Sequence, residues 1–218
     1  MLYALDIFGT FVFAVSGAFR AVKYELDLLG VLVLAVATGV GGGIIRDVLL
    51  GCRPPLAFQD EAYLFACVGG GLIVFFAARY IASHWDCVMA ADALGLSVFA
   101  ALGAAKGAIY GLGNISIILM AALTATGGGV IRDLLVTEIP VVLRADFYAT
   151  AALLGGGSFL LARTFGLPEG IQLGSCIAVT YTLRLLAMRY KLSLPKVSKL
   201  IFPPSRLTEM RRKRRTRK

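Results

Sequence analysis

Seven apolar stretches, each close to the length of a bilayer-crossing helix, run through the 218-residue chain and leave few ways to fold it. Crossing hydrocarbon as a helix takes about 20 mostly apolar residues. The stretches cover 2–20, 29–50, 62–82, 89–110, 114–136, 147–165 and 170–189. Charge and turn residues interrupt them, among them Arg20–Asp27, Arg53–Pro55, Ser83–Asp86, Gly111–Asn114, Glu138–Pro140 and Gly166–Gly170. Tyr3, Tyr24, Tyr63, Tyr80, Trp85 and Tyr110 fall near the stretch ends, where an aromatic belt would lie. A water-soluble bundle of such helices would have almost no polar face to turn outward. The expected class is an all-α membrane protein with seven transmembrane helices.

Charge tests that expectation. The formal net charge is +9, which invites a nucleic-acid partner. Met1–Pro195, however, holds as many acidic as basic residues, and the whole excess lies from Lys196 onward, in a tail ending RRKRRTRK. A basic domain surface, a nucleic-acid partner and a disordered chain are thereby excluded. So many Lys and Arg beyond the last stretch place the C-terminus in the cytoplasm, and seven spans then place the N-terminus outside. Arg20, Lys23, Arg79 and Arg144 would face inward, Arg53 and Arg163 outward. The opening MLYALDIFGTFVFAVSGAF carries Asp6 and lacks a basic leader, so it is expected to be retained. The tail is expected on the inner surface, against anionic lipids.

Shifting the sequence by 86 residues lays one half on the other without a gap. Asp6 falls on Asp92, Gly17 on Gly103, Val12–Ala14 on Val98–Ala100, Thr38 on Thr124, Pro54 on Pro140 and Asp60 on Asp146. GGGIIRD at Gly41–Asp47 meets GGGVIRD at Gly127–Asp133, and Gly69–Gly71 meets Gly155–Gly157. Three stretches per repeat is an odd number, so the second copy must enter the membrane from the opposite side. The expected plan is a 3+3 inverted-topology repeat over 1–88 and 89–168, a seventh helix over 169–192 and a basic tail over 193–218. Such repeats characterise transporters and related proteins, with the pathway at mid-membrane between the halves.

The second and fifth stretches carry the chemistry. Glycine costs about 1 kcal/mol relative to alanine inside a helix, so Gly41, Gly42, Gly43 and Gly127, Gly128, Gly129 are expected to kink or break their helices and line a cavity. The triplets at 69–71 and 155–157 have no adjacent charge and are expected to serve close packing. Arg46-Asp47 and Arg132-Asp133 place charges in or at the rim of the membrane, where each costs about 2.5–3.5 kcal/mol and needs a partner or water. Because sequence neighbours on a helix point apart, Arg46 is expected to pair with Asp133 and Arg132 with Asp47. The bland alternative is that all four snorkel to the headgroups.

Asp6 and Asp92 begin the first and fourth stretches, either as cation attractors at opposite mouths or as plain helix-start carboxylates. Thr38, Thr124 and Thr126 could add hydroxyl ligands. Lys106, whose repeat mate is Arg20, could line the pathway or snorkel. Cys52, Cys67, Cys87 and Cys176 have no metal or redox spacing and are expected to pack as small apolar residues. His84 beside Trp85 reads as a belt residue. There is no HExxH or GxSxG, so catalysis, a metal and a cofactor are not expected.

These residues resemble a known family. The paired GGGxIRD motifs, the DxxGxxVFAxxG openings, the proline-x5-aspartate step after each triplet and the seven-stretch plan are similar to the trimeric intracellular cation channel (TRIC) family, in its prokaryotic branch, over nearly all of 2–190. The resemblance implies a homotrimer in which each protomer holds its own pore, lined by kinked second and fifth helices and conducting monovalent cations, chiefly potassium. By that resemblance the two glycine triplets form the kinks and the Arg-Asp charges lie along the pathway. Some bacterial relatives are associated with glycine uptake, so a second class stays open: a carrier for a small zwitterion, with Arg46 or Arg132 on the carboxylate and Asp47 or Asp133 on the amine.

Overall fold

The computed structural model describes residues 1–81, 85–144 and 147–190, with side chains described throughout except at 78–81 and 85–87. His84, the tail, and the side chains of Arg79, Tyr80, Trp85, Cys87 and Asp146 lie outside the described residues. Each of the seven apolar stretches coincides with a helix to within four residues: α1 Leu2–Lys23, α2 Leu28–Leu49, α4 Ala62–Ile81, α5 Trp85–Ile109, α6 Asn114–Leu135, α8 Ala149–Thr164 and α9 Glu169–Tyr190. Two single-turn helices, α3 Leu56–Gln59 and α7 Val141–Arg144, follow α2 and α6. Among the described residues, α1, α2, α6, α9 and Val88–Ile109 of α5 are long and apolar enough to cross a membrane, while Ala62–Ala77 of α4 is a shorter apolar segment.

Local signals set the helix limits. Asp27 begins α2 by accepting the Gly30 N–H at 2.7 Å, which satisfies one of the donors a helix start leaves open. Helices α1 and α5 end in the same way, on a residue with left-handed backbone: Glu25 (φ 54°) and Gly111 (φ 72°). Helices α2 and α6 do likewise at Gly51 (φ 77°) and Thr137 (φ 57°). Both pairs are related by the shift of 86, so the repeat extends to the backbone of the turns. In each pair one copy has kept glycine, which adopts this conformation without steric cost.

Helices α1, α2 and α4 pack on one another, as do α5, α6 and α8; α1 against α5 and α2 against α6 join the halves, and α9 lies on α5 and α8. The core centres on α5, where Leu96, Val98, Phe99 and Leu102 are buried, and Phe13 of α1 stacks on Phe99 with ring centroids 5.1 Å apart. Large apolar side chains such as Phe65, Phe76, Ile115 and Leu143 point outward, the reverse of a water-soluble surface and the natural arrangement against lipid. Tyr3, Tyr24 and Tyr110 are exposed at helix ends, as a belt requires, but Tyr63 is buried and belongs to the interior. Cys67 and Cys176 are buried; Cys52 is only half-buried, its Sγ 2.8 Å from the Tyr110 hydroxyl.

The glycine triplets do not break their helices. α2 and α6 run uninterrupted through Gly41–Gly43 and Gly127–Gly129. Instead the triplets let two backbones touch. A Cβ added at Gly42 would stand 2.3 Å from the Thr124 carbonyl oxygen, and one at Gly128 would stand 2.3 Å from that of Thr38. Likewise a Cβ added at Gly41 would stand 2.7 Å from the Ile131 side chain, and one at Gly127 would stand 2.7 Å from that of Ile45. The two sets of contacts map onto each other under the shift of 86, so α2 and α6 meet across a pseudo-twofold relation. Close packing also explains Gly71 against Ala35 and Gly156 against Ala121, whereas Gly69 and Gly157 face open space.

Candidate functional site: two buried charge clusters

The last turns of α2 and α6 carry Arg46-Asp47 and Arg132-Asp133 into the protein, and all four side chains are buried. Snorkelling is therefore excluded for them. So is pairing of Arg46 with Asp133 and of Arg132 with Asp47. Arg46 Nε instead donates to its own neighbour, Asp47 Oδ1, at 2.9 Å, and its Nη1 and Nη2 form a fork on Asp6 of α1 at 3.3 and 3.0 Å. The physical reason is reach. A guanidinium at the end of a long stem bends back over the turn, so Cβ directions 100° apart do not prevent contact. A bidentate fork on a carboxylate is also the strongest arrangement available to it.

The second cluster repeats the plan with changes. Arg132 Nε donates to Asp133 Oδ1 at 3.1 Å, and Nη1 donates to Asp92 Oδ1 at 2.5 Å and to Ser16 Oγ at 2.7 Å. The Ser16 hydroxyl donates in turn to Asp92 Oδ1 at 3.1 Å. Asp6 and Asp92 are thus neither bare mouth charges nor idle helix-start residues; each neutralises the arginine 40 positions on. The remaining oxygens of the GGGxIRD aspartates start the next helices. Asp47 Oδ2 accepts the Leu56 N–H of α3 at 3.0 Å, and Asp133 Oδ2 accepts the Val141 N–H of α7 at 2.8 Å. A proline stands immediately ahead of each capped residue, Pro55 before Leu56 and Pro140 before Val141.

Among the described residues, the salt bridges between the repeats are made by the basic pair Arg20 and Lys106. Lys106, in the second repeat, places Nζ 3.5 Å from Asp47 and 3.6 Å from Asp6 of the first. Its mate Arg20, in the first repeat, lies 3.2 Å from Asp133 and 3.5 Å from Glu138 of the second. Asp6 and Arg20 sit near opposite ends of α1, about 21 Å apart at 1.5 Å per helical residue. The two clusters therefore flank the glycine crossing from opposite sides.

Thr38 Oγ1 donates to the Leu34 carbonyl at 2.6 Å and Thr126 Oγ1 to that of Ala122 at 2.8 Å, so both hydroxyl protons are committed within their own helices. The Thr124 hydroxyl is buried without a partner.

A cavity of about 360 Å³ opens onto the second cluster, lined by Ser16, Arg20, Asp92, Arg132, Glu138 and Arg184, among others. Arg184 of α9 lies 4.7 Å from the centre of the Tyr148 ring, a cation–π distance. Neither Arg184, Tyr148 nor Ser16 is singled out by the repeat, because none has a polar mate 86 residues away. Glu138 has Cys52 at the matching position, so its role is equally unmarked in the sequence.

Glu138 accepts hydrogen bonds from the Tyr24 hydroxyl and from Arg144, outside the long helices. The Tyr24 hydrogen bond first, with that of Arg144 behind it, lowers its carboxyl from an ordinary 4.5 to about 2. A depressed carboxylate stabilises the fold above its unfolded value, and that contribution disappears as pH falls through the folded value. Thermal stability in detergent should therefore drop between pH 4.5 and 2 in part through Glu138, and Tyr24→Phe should flatten that drop. An identical pH profile in the variant would remove Glu138 from the account.

An all-helical bundle with apolar outer faces and two buried ion-pair clusters is a multi-pass membrane protein. A family model described as "Glycine transporter" matches residues 3–79 and again 89–164, its two starts separated by the 86 residues of the repeat. A Vibrio cholerae UPF0126 membrane protein is 41% identical over 196 residues, covering 89% of this chain and 82% of its own. The UPF0126 inner membrane protein YadS of Escherichia coli is 38% identical over 198 residues, covering 89% and 95%. Among solved structures, the trimeric intracellular cation channel orthologue of Rhodobacter sphaeroides superposes with a TM-score of 0.84 at 40% identity, covering 88% of this chain and 98% of its own. A prokaryotic TRIC channel solved in 0.5 M KCl gives 0.83 at 39% identity, with the same coverage. The chain belongs to the TRIC family, in the prokaryotic branch with paired GGGxIRD motifs. Both solved structures are described as those of cation channels or channel orthologues.

Proposed function

We propose that the chain is a monovalent cation channel, with potassium its principal ion, working as a homotrimer in which each protomer has its own pore. The pore runs beside the crossing of α2 and α6, with Gly41–Gly43 and Gly127–Gly129 at its waist, the Arg-Asp clusters at its ends, and Thr38 and Thr124 beside it. Seven spans, the second and fifth of the long helices being α2 and α6, form the 3+3 inverted repeat over 1–88 and 89–168 with one helix added. The N-terminus lies outside, the C-terminus in the cytoplasm, and the basic tail on anionic lipid.

The observation that carries this reading is the pair of clusters on either side of a close backbone crossing, in a chain similar to TRIC cation channels over most of its length. Buried charge is expensive in a membrane and is retained where a charged solute passes. A carrier for a zwitterion such as glycine has the family model's description behind it. Arg46, one of the two arginines such a carrier could use, argues against it, since Nε, Nη1 and Nη2 each already donate to an aspartate.

Purified protein in planar bilayers under a potassium chloride gradient should give discrete current steps that reverse close to the potassium equilibrium potential. Current-free, saturable glycine exchange in proteoliposomes would replace the channel by the carrier. Reversal toward the chloride potential would remove cation selectivity.

A further inference from the structure

The shift of 86 also pairs two tyrosines, and each reaches into the other repeat. Tyr24, at the end of α1, donates its hydroxyl to Glu138. Its mate Tyr110, at the end of α5, holds its hydroxyl 2.8 Å from Sγ of Cys52, and Cys52 is the mate of Glu138. One contact is the image of the other, and the backbone prepares both. Glu138 and Cys52 each follow a left-handed residue, Thr137 or Gly51. Each then donates its N–H to the carbonyl five residues back, Asp133 at 2.9 Å and Asp47 at 2.8 Å. The tyrosines stand ahead of turns of the same kind, in which Leu26 N–H reaches the Ala21 carbonyl and Leu112 N–H that of Gly107. These are the bonds of a Schellman turn. Four like turns therefore deliver four side chains to two contacts, at opposite ends of the α2–α6 crossing.

The chemistry of the two contacts differs. Glu138 also accepts from Arg144 and lies 3.5 Å from Arg20, and charge-assisted hydrogen bonds are roughly twice as strong as neutral ones. Cys52 is a thiol, weak both as donor and as acceptor, so its contact with Tyr110 joins two neutral groups. Water competes harder there as well, since Tyr110 is 52% exposed and Tyr24 38%. We propose that Tyr24–Glu138 and Tyr110–Cys52 are matched clasps joining the repeats at opposite ends, and that the Tyr110–Cys52 clasp is the one that releases, so that the repeats part at that end. Releasing it strands no charge, whereas releasing Tyr24 takes a donor from a carboxylate. The device goes beyond the channel reading and does not rest on it.

Hydrogen–deuterium exchange of the purified full-length protein, resolved to single amides by mass spectrometry, tests it, because exchange reads local opening. The Cys52 and Glu138 amides make the same backbone bond, so they report the two ends on one scale. After correction for intrinsic rates, the Cys52 amide should exchange about two- to ten-fold faster than that of Glu138, the span set by one hydrogen bond of ordinary net strength. This comparison needs no variant and decides the matter if the substitutions do not fold. Tyr110→Phe should speed exchange at position 52 and leave position 138 unchanged. Cys52→Glu, which installs the residue its mate carries, should slow position 52, and Glu138→Cys should speed position 138. Equal rates at the two amides of the unaltered protein, or a rate at position 52 indifferent to Tyr110→Phe and Cys52→Glu, overturns the proposal. A protein that passes no potassium current yet shows the exchange difference refutes the channel and keeps the clasps.

Discussion

Arg46→Gln should lower stability by about 3–5 kcal/mol, because removing one member of a buried ion pair leaves the others uncompensated. The change deprives both oxygens of Asp6 and one of Asp47 of their donors and leaves Lys106 as the only cation against two carboxylates. Asp6→Asn/Arg46→Gln should recover part of the loss, since Asp47 and Lys106 then balance. The matching pair Arg132→Gln and Asp92→Asn should behave alike, moderated by Ser16, which stays to hydrogen-bond Asp92. Melting temperatures in detergent measure all of these. A double-mutant cycle of Arg46→Gln with Asp133→Asn should show no coupling, as distant groups add independently. Strong coupling there would bring back pairing across the pseudo-axis, and a stable Arg46→Gln would show that the fork contributes little.

That cycle also shows how far the sequence reaches. The shift of 86 already contained the pseudo-twofold contacts of α2 with α6, because every residue making them, from Thr38 and Gly42 to Thr124 and Gly128, has its mate in the other repeat. Asp6, Asp92 and the two Arg-Asp steps were legible as charges that need partners. The choice of partner was not, since a rule built on Cβ directions ignores how far an arginine bends. Yet the contact between repeats was visible as a pairing of basic residues: Lys106 and Arg20 are mates, and each serves the other half. Of the kink or break expected at the triplets, the break is absent for a physical reason too. The glycine penalty of about 1 kcal/mol comes from helices in water. Within a membrane a freed backbone group finds no water, so the helical hydrogen bonds hold. Residues without a mate, such as Ser16, Tyr63, Tyr148 and Arg184, carry no periodic signal at all, and only the packed structure finds them.

If the triplets exist for backbone contact, substitution should sort them by distance. Gly42→Ala and Gly128→Ala place a methyl 2.3 Å from a carbonyl oxygen of the opposite helix. That atom belongs to a helix backbone and cannot swing aside, so the helices must separate. The overpacking cost of about 1–3 kcal/mol is a lower guide here, because widening the crossing also strains the clusters at both ends. The double variant should cost less than the sum of the two, since one widening accommodates both methyls. Gly69→Ala and Gly157→Ala are the controls: a Cβ at either meets nothing within 4 Å. Those two should be neutral or gain up to about 1 kcal/mol from better helix propensity. Thermal melts of the four single variants therefore separate two roles that glycine can play in a membrane helix. A Gly42→Ala protein as stable as Gly69→Ala would mean that the α2–α6 crossing is looser than its geometry, and that the triplet is kept for the mobility of the helix rather than for contact.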